Sequence, residues 1–306
     1  MIKEKIKPLF KYIGGKSWLR EELRNQVSEA LQKNEISTYV EPFAGGLGSF
    51  LSVYDILLEN NVKNVILSDI NETLIHTYKV IKDNHKNFIE EFLIIEKKFV
   101  ETIEPNWKDK KDKDELKKHL KNAEFFFNSV KKEFNINKLN VDVKQSARFV
   151  FLQKHAFNGV YRENSKGEYN TPFNWSGSNI IENIVNKVNE MNSLFNKFNL
   201  IFISQSFEKL DYNKNTLYYL DPPYLNEEIS ENKYNKDVFT IEKQQLLIDK
   251  IKNTNFIYSN HKSEILCKEF SKIANSNIKE LARKNIMSAS SESRKEDKIE
   301  ILVTKY

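Results

Sequence analysis

The residues with the most evident chemistry sit at a single turn. The stretch "TLYYLDPPY" runs from Thr216 to Tyr224 and sets the apolar residues Leu217 to Leu220 directly before Asp221, Pro222, Pro223 and Tyr224. Four apolar residues stopped by two prolines predict a short buried strand that ends at Asp221. The chain has only six prolines, so a pair placed together is informative. Neither proline has an N–H, and both fix the direction of the chain. The carboxylate of Asp221 and the carbonyl of Pro222 then stand as two acceptors, and Tyr224 offers a flat face to a ring. This set suits an exocyclic amine on a planar base. The bland alternative is an edge strand ended by proline.

Such a set answers a chemical problem. The lone pair of an aromatic amine is delocalised into its ring, so the amine is a poor nucleophile. Acceptors on its hydrogens favour a pyramidal nitrogen and free the lone pair for an electrophilic sulfonium methyl group placed in line. Positioning and electrostatics carry such a transfer, with no covalent enzyme intermediate.

The elements that must position this turn are legible nearby. "TYVEPFAGGLGSFLSVYDIL" predicts a strand, a glycine turn and an amphipathic helix, and "NVILSDI" predicts a second strand ending at Asp69. Glycine is scarce, at eight residues, yet Gly45, Gly46 and Gly48 cluster in this turn. There they let the backbone pass close to a ligand where strand becomes helix. Asp69 lies 24 positions after Gly45, a spacing at which an acid can accept from a ribose hydroxyl pair. The alternatives are a merely tight turn and a helix N-cap at Asp69. "FKYIGGKSWL" holds a further pair, Gly14 and Gly15, ahead of Lys16. Lys16 could serve a nucleotide by charge and Tyr12 by stacking, or the stretch is only a loop before a helix.

Three regions follow from pattern. Residues 1–80 read as loop, helix, strand, glycine turn, helix and strand. Residues 81–195 read as mostly helical, including the charged "NWKDKKDKDELKKHLKNAEFFFNSVKKEF", whose charges are expected to lie on a solvated face. In 196–306, "NLIFISQSF", "TLYYLDPPY", "NFIYSN" and "KIEILVTKY" read as strands between helical pieces. The expected architecture is one α/β sheet from 1–80 plus 196–306, interrupted by an inserted domain over 81–195.

Composition bounds the rest. The 306 residues are 40% hydrophobic, enough for a core, and no window approaches eighteen apolar residues. Met1 to Phe10 is lysine-rich without an apolar signal core, so a cytoplasmic protein is expected. The single cysteine, Cys267, excludes an internal disulfide, and the five histidines show no ligand spacing. No metal is expected. A net charge of +5 permits a polyanionic partner without demanding one.

"FNGVYRENSKGEYNTPF", Phe157 to Phe173, carries the chemistry of a base reader. Asn reads adenine and Arg reads guanine in the major groove. Phe157 and Tyr161 are aromatics able to fill the gap left by an extruded base, and Gly159 and Gly167 allow sharp turns. An ordinary β-hairpin is the alternative.

Taken together, these stretches resemble the Dam-type, D12-class DNA adenine N6-methyltransferases of the α arrangement. "KYIGGK" resembles the opening motif, "VEPFAGGLGS" the methyl-donor loop, "SDIN" the ribose motif, "DPPY" the catalytic motif, and Phe157 to Phe173 the target-recognition hairpin. "IYSNH", "ARKNI" and "IEILVTKY" resemble the family's endings. The resemblance implies a Rossmann-like class I methyltransferase sheet with an inserted, mainly helical target-recognition domain carrying a β-hairpin. It implies S-adenosylmethionine as donor, held by Tyr12, Lys16, Phe43, Gly45, Gly48, Asp69 and Asp221. Asp221, Pro222 and Tyr224 match the catalytic motif. Lys11, Phe157, Asn158, Val160, Arg162 and Pro172 match positions that contact the target. Many relatives carry Trp where this chain has Tyr12, and both side chains stack. The implied substrate is double-stranded DNA at GATC or a GAT-containing site, the implied oligomeric state a monomer. Pairing with a restriction endonuclease encoded nearby stays open.

Other classes fit less. A nicotinamide-dependent oxidoreductase would use Gly45 and Asp69 but leaves Asp221 to Tyr224 unexplained. A non-enzymatic DNA-binding module leaves the donor loop unexplained. Methylation of RNA or protein is opposed by the Phe157 hairpin, and cytosine N4 chemistry usually has Ser or Thr in place of Asp221.

Overall fold

Among the described residues, seven strands pair into one sheet: β1 (Thr38–Glu41), β2 (Asn64–Asp69), β3 (Asn199–Ser204), β4 (Thr216–Leu220), β5 (Asn255–His261), β6 (Asn277–Arg283) and β7 (Lys298–Lys305). They stand in the order β3-β2-β1-β4-β5-β7-β6. The first five are parallel, and β7 runs antiparallel between β5 and β6. The described helices are α1 (Arg20–Lys33), α2 (Phe50–Glu59), α3 (Glu72–Glu101), α4 (Lys113–His119), α5 (Lys121–Ile136), α6 (Val143–His155), α7 (Ile184–Phe195), α8 (Ile241–Ile251) and α9 (Glu264–Ser271).

These elements come from a computed structural model that describes residues 6–12, 15–104, 107, 112–176, 183–224, 239–283 and 298–306. Gly14, Gly177, part of the "ARKNI" stretch and the lysines at 108, 110 and 111 lie outside the described residues. The sheet is Rossmann-like, as the resemblance implies. Chain order reverses between β1 and β4. In open α/β sheets, ligands bind off the carboxyl ends of strands at such a reversal. Glu41 closes β1 there, and Asp221 follows β4.

The chain divides into two compact units. One comprises 16–44, 49–70 and 198–306, and holds the sheet; the other comprises 1–15, 45–48 and 71–197. In the sheet unit, alternate residues Tyr218 and Leu220 of β4, Phe256 and Tyr258 of β5, and Ile301 and Val303 of β7 join one buried cluster with Leu247, Ile248, Leu266 and Phe270 of α8 and α9. The period of two along the strands and the three-to-four spacing along the helices give this face from sequence alone. The strand β6 does not announce itself in the same way. Its sequence, Asn277 to Arg283, offers only half-buried Ile278 and Leu281 as large apolar residues, because it is an edge strand bonded to β7 alone.

The other unit is helical. Helix α3 packs on α6 and α7, and α5 packs on α6. Phe99 is its aromatic hub, with ring centroids 5.2 Å from Phe151, 4.1 Å from the His155 imidazole and 6.1 Å from Phe173. The charged stretch resolves into α4 and α5, and the apolar face of α5 buries Ala123, Phe127, Val130 and Phe134. Helix α3 is broken at Asn84 (φ −144°, ψ 37°). A break there takes carbonyls of the preceding turn out of the helical ladder, and such groups need other donors. The amide of Asn192 on α7 donates to the carbonyls of Ile81 at 3.0 Å and Lys82 at 2.8 Å.

Replacing Asn192 with Leu removes that donor and leaves two inward carbonyls unserved. The expected loss is about 1–3 kcal/mol, read as a lower urea midpoint for the unfolding of this unit. A midpoint within error of the unmodified chain would show that the break in α3 does not depend on Asn192.

Candidate active site

The site in the sheet unit is built around one buried ammonium. Lys16 precedes the short 3-10 turn Ser17–Leu19, whose Leu19 N–H donates to the Lys16 carbonyl at 2.9 Å. Leu19, Leu23, Val27 and Ala30 bury at helical spacing and fix α1 and its lead-in. Only 3% of the Lys16 side chain is exposed. Its Nζ lies 3.1 Å from Asp221 Oδ1, 3.3 Å from Glu300 Oε2, and donates to the Tyr224 hydroxyl at 2.8 Å. The ammonium thus has one hydroxyl acceptor and two carboxylate ion-pair partners around it.

Each acceptor is set by strand register. Asp221 follows β4, and Ser259 on the neighbouring β5 donates to Asp221 Oδ1 at 3.4 Å. Ser259 in turn shares a hydrogen bond of 3.0 Å with the Tyr219 hydroxyl. Glu300 stands opposite His261 in the β5–β7 ladder and is 1% exposed. Its Oε1 accepts from the Tyr224 hydroxyl at 3.3 Å. The Tyr224 ring stacks on the His261 imidazole, with centroids 3.7 Å apart and planes at 33°. Pro222 is buried and Pro223 exposed.

Electrostatics follow from burial. Burial raises the Asp221 carboxyl to about 6, with Lys16 pulling it down and Glu300 pushing it further up. Burial lowers Lys16, but Asp221, Tyr224 and Glu300 outweigh that effect and leave it raised. Glu41 is fully buried at the end of β1, accepts from the Tyr39 hydroxyl at 2.7 Å, and is raised by burial to about 8. At neutral pH, Glu41 is therefore a neutral acid, whereas Asp221 is mostly ionised.

Asp69 closes β2, and its carbonyl accepts from Gln205 N–H at 3.2 Å. The N-cap of α3 is Asn71, whose side chain accepts from Leu74 N–H at 3.0 Å. Asp69 is thus not the cap. Phe43 is half-buried and packs against Phe207 and Phe239, each with a centroid distance of 5.6 Å.

In the helical unit, Tyr12 packs on the glycine turn. Gly45 has φ +45°, and a Cβ built on Gly46 would lie 2.7 Å from Cβ of Tyr12. No larger residue fits that approach. The Tyr78 hydroxyl donates to the Gly45 carbonyl at 2.9 Å. A Cβ added at the exposed Gly48 would meet no atom within 4 Å, so space does not require glycine there. At Gly45 and Gly46 the donor-loop candidates thus pack closely against the aromatic side chain of Tyr12.

The same unit gathers the candidate target-reading residues. Phe157 N–H donates to the Pro172 carbonyl at 2.9 Å, the Thr171 hydroxyl donates to the Val160 carbonyl at 2.7 Å, and Asn170 N–H donates to the Arg162 carbonyl at 2.9 Å. The excursion returns antiparallel through two isolated bridges, Ala156 with Phe173 and Glu163 with Tyr169, rather than through a continuous hairpin ladder. The reason is local. Asn158 and Gly159 both take positive φ, at 56° and 64°, and turn the chain. A Cβ on Gly159 would lie 2.9 Å from Cβ of Lys11, so Lys11 sits on this turn. Lys11, Phe157, Asn158, Arg162 and Pro172 are exposed and Val160 half-buried. Tyr161 instead packs on Phe149 and Tyr169, so Phe157 is the aromatic that faces out. Arg162 is oriented by Asn170, with Nε donating to Oδ1 at 2.7 Å and a terminal amine donating to the carbonyl at 3.2 Å.

Sequence reasoning found Lys16, Asp221 and Tyr224 but missed Glu300, Ser259 and His261 as their partners. The stretches "IYSNH" and "IEILVTKY" contain all three. A lone Glu within an apolar strand is the signal that marks Glu300. Register with β5, which sequence does not give, is what makes that signal interpretable.

The chain is similar to known proteins. A family model described as D12 class N6 adenine-specific DNA methyltransferase matches residues 12–289. The Type II methyltransferase M.MjaIII of Methanocaldococcus jannaschii is 30% identical over 312 residues, covering 98% of this chain and 99% of its own length. The Type II methyltransferase M1.LlaDCHI of Lactococcus lactis subsp. cremoris is 25% identical, covering 98% of this chain and 96% of its own. A DNA adenine methylase of Haemophilus influenzae is 26% identical over 270 residues, covering 85% of this chain and 81% of its own.

Glu41 gives the sheet unit a pH response of defined sign. Its folded value of about 8 stands above its unfolded value of about 4.3, so the folded state binds the extra proton between the two. Stability from this group is therefore present at low pH and is lost as pH rises through that window, by at most about 1.4 kcal/mol per pH unit. Glu41→Gln keeps the Tyr39 hydrogen bond without titrating. It should flatten the slope of unfolding free energy between about pH 5 and 8, measured by urea denaturation at stepped pH. An unchanged slope would show that Glu41 is ionised at neutral pH.

Proposed function

The chain belongs to the D12 class N6 adenine-specific DNA methyltransferases, and from that membership we propose a site-specific enzyme that extrudes an adenine from duplex DNA and methylates its amine at GATC or a GAT-containing site. The observation that carries the catalytic assignment is the Asp221 carboxylate, fixed after β4 beside Lys16, Tyr224 and Ser259. Its carboxylate is the natural acceptor for an amine N–H.

The family implies S-adenosylmethionine as methyl donor, and when bound it supplies an electrophilic methyl group. The chain's residues fit such a group: the close approach of Tyr12 to Gly45 and Gly46 sets an aromatic side chain against the turn after β1, and Asp69 at the end of β2 offers a carboxylate to a ribose. Tyr12, Lys16, Phe43, Gly45, Gly48, Asp69 and Asp221 are the residues assigned to hold it. Asp221 and the Pro222 carbonyl accept the two amine hydrogens and make the nitrogen lone pair available. Transfer of the donor's methyl group to the amine would make one amine proton strongly acidic, and the Asp221 carboxylate would accept that proton. At neutral pH, a carboxyl near 6 releases that proton to solvent. The base must leave the duplex for this, as for other enzymes that act on a base.

The helical unit supplies the reader. Lys11, Phe157, Asn158, Val160, Arg162 and Pro172 meet the bases, with Arg162 on a guanine. Its planar fork can hold both guanine acceptors, and Asn170 already fixes its orientation. Lys117 and Lys118, exposed on α4, serve phosphates. The named methyltransferases of restriction systems among the relatives support pairing with a cognate endonuclease.

Asp221→Ala should abolish transfer while changing donor affinity far less than turnover, because the contact is made to the reacting amine. Single-turnover transfer of labelled methyl to duplex DNA is the measurement. A rate above about a tenth of wild type would contradict the role, since a preorganised contact of this kind is typically worth about a hundredfold or more. Arg162→Ala should cost about 1–3 kcal/mol and relax discrimination at one base pair. Rates on duplexes varied at each position decide this: a loss common to all sequences would make Arg162 a phosphate or scaffold contact.

A further inference from the structure

We propose that Glu300 is a positioning residue that takes over the Lys16 ammonium when the target amine engages Asp221. This rests on the reading of Asp221 as the amine acceptor. In the structure, Asp221 Oδ1 faces two donors, Lys16 Nζ at 3.1 Å and Ser259 Oγ at 3.4 Å. An incoming amine therefore competes with an ammonium already in place. A buried ammonium that loses its carboxylate without a replacement is strongly disfavoured. Lys16 has such a replacement 3.3 Å away in Glu300 Oε2.

Glu300 is built for that task. It is 1% exposed, and its backbone is held in the β5–β7 ladder beside the ammonium. Both of its oxygens face this group: Oε2 toward Lys16, and Oε1 accepting from the Tyr224 hydroxyl. A second carboxylate gives one ammonium and two acids a net charge of −1, which is unfavourable in a buried place unless the acids act at different stages. With Glu300 present, Lys16 can slacken its hold on Asp221 and remain paired. With a neutral side chain there, Asp221 would be its only carboxylate, and the pair would close against the amine. Tyr224, held by Glu300 and Lys16 together, keeps its ring on His261 throughout.

The groups that face this cluster are Lys16 before α1, Glu41 at the end of β1, Tyr219, Asp221 and Tyr224 at β4, Ser259 and His261 on β5, and Glu300 on β7. Among them, Glu300 adds negative charge beside Asp221, and its removal makes ionisation of Asp221 easier. The test is the single-turnover rate of Glu300→Gln and Glu300→Asp at saturating donor and duplex, across pH 5 to 9. Glu300→Gln should lower the plateau rate about tenfold or more and move the acidic limb down by about one pH unit. Glu300→Asp keeps the charge, so its limb should stay at the wild-type pH, with a rate between the other two. A Glu300→Gln limb at the wild-type pH, or a wild-type rate, overturns the proposal, because a merely structural loss lowers the rate without moving the limb. Should Glu300→Gln fail to fold, by circular dichroism, Glu300→Asp decides alone: a displaced limb or an undiminished rate overturns it. Asp221→Ala, run in parallel, separates the two readings, since activity retained there would remove the parent assignment and not this one alone.

Discussion

A buried ammonium needs a complete set of acceptors, and most of the sheet unit is arranged so that Lys16 has one. Its three partners come from Asp221, Tyr224 and Glu300, distant in sequence from Lys16 and, for Glu300, from one another. Only the finished sheet brings them within reach: β4 must end at its prolines, β5 must stand beside it, and β7 must enter in the register that sets Glu300 opposite His261. Leaving one charge unpaired in such a place costs several kcal/mol, comparable with the stability of a domain. The cluster is thus a condition on the fold as well as a feature of the chemistry.

The neighbouring acids show how one sheet edge gives two carboxyl groups different states. Glu41 and Asp221 close adjacent strands, β1 and β4. Glu41 has a tyrosine hydroxyl for company and is held protonated near neutrality, whereas Asp221 has an ammonium and remains mostly ionised. The difference lies in what each side chain touches and not in residue type. It leaves one anionic acceptor at the place where chain order reverses.

Much of this was legible in the sequence. The apolar runs before Asp69 and Asp221 gave their strands, the scarce glycines gave the turn after β1, and the paired prolines gave the end of β4. What escaped is instructive. The strand β6 bears little apolar surface because it is an edge. The partners Glu300, Ser259 and His261 depend on register between strands, which local pattern does not encode. The Phe157 to Phe173 stretch read as a hairpin, but two successive residues of positive φ at Asn158 and Gly159 replace the ladder with isolated bridges. Asn tolerates that conformation, so the sequence permits the turn without requiring it.

The antiparallel strand β7 has a consequence for how the molecule is made. It follows the other six strands in the chain, yet its place is between β5 and β6. Both neighbours are synthesised before the strand that bridges them, so the sheet closes only once Lys298–Lys305 is in place. Glu300 arrives on this last strand, so the ammonium of Lys16 lacks one acceptor until then. Translation order thus makes completion of the sheet and completion of the charged cluster the same event.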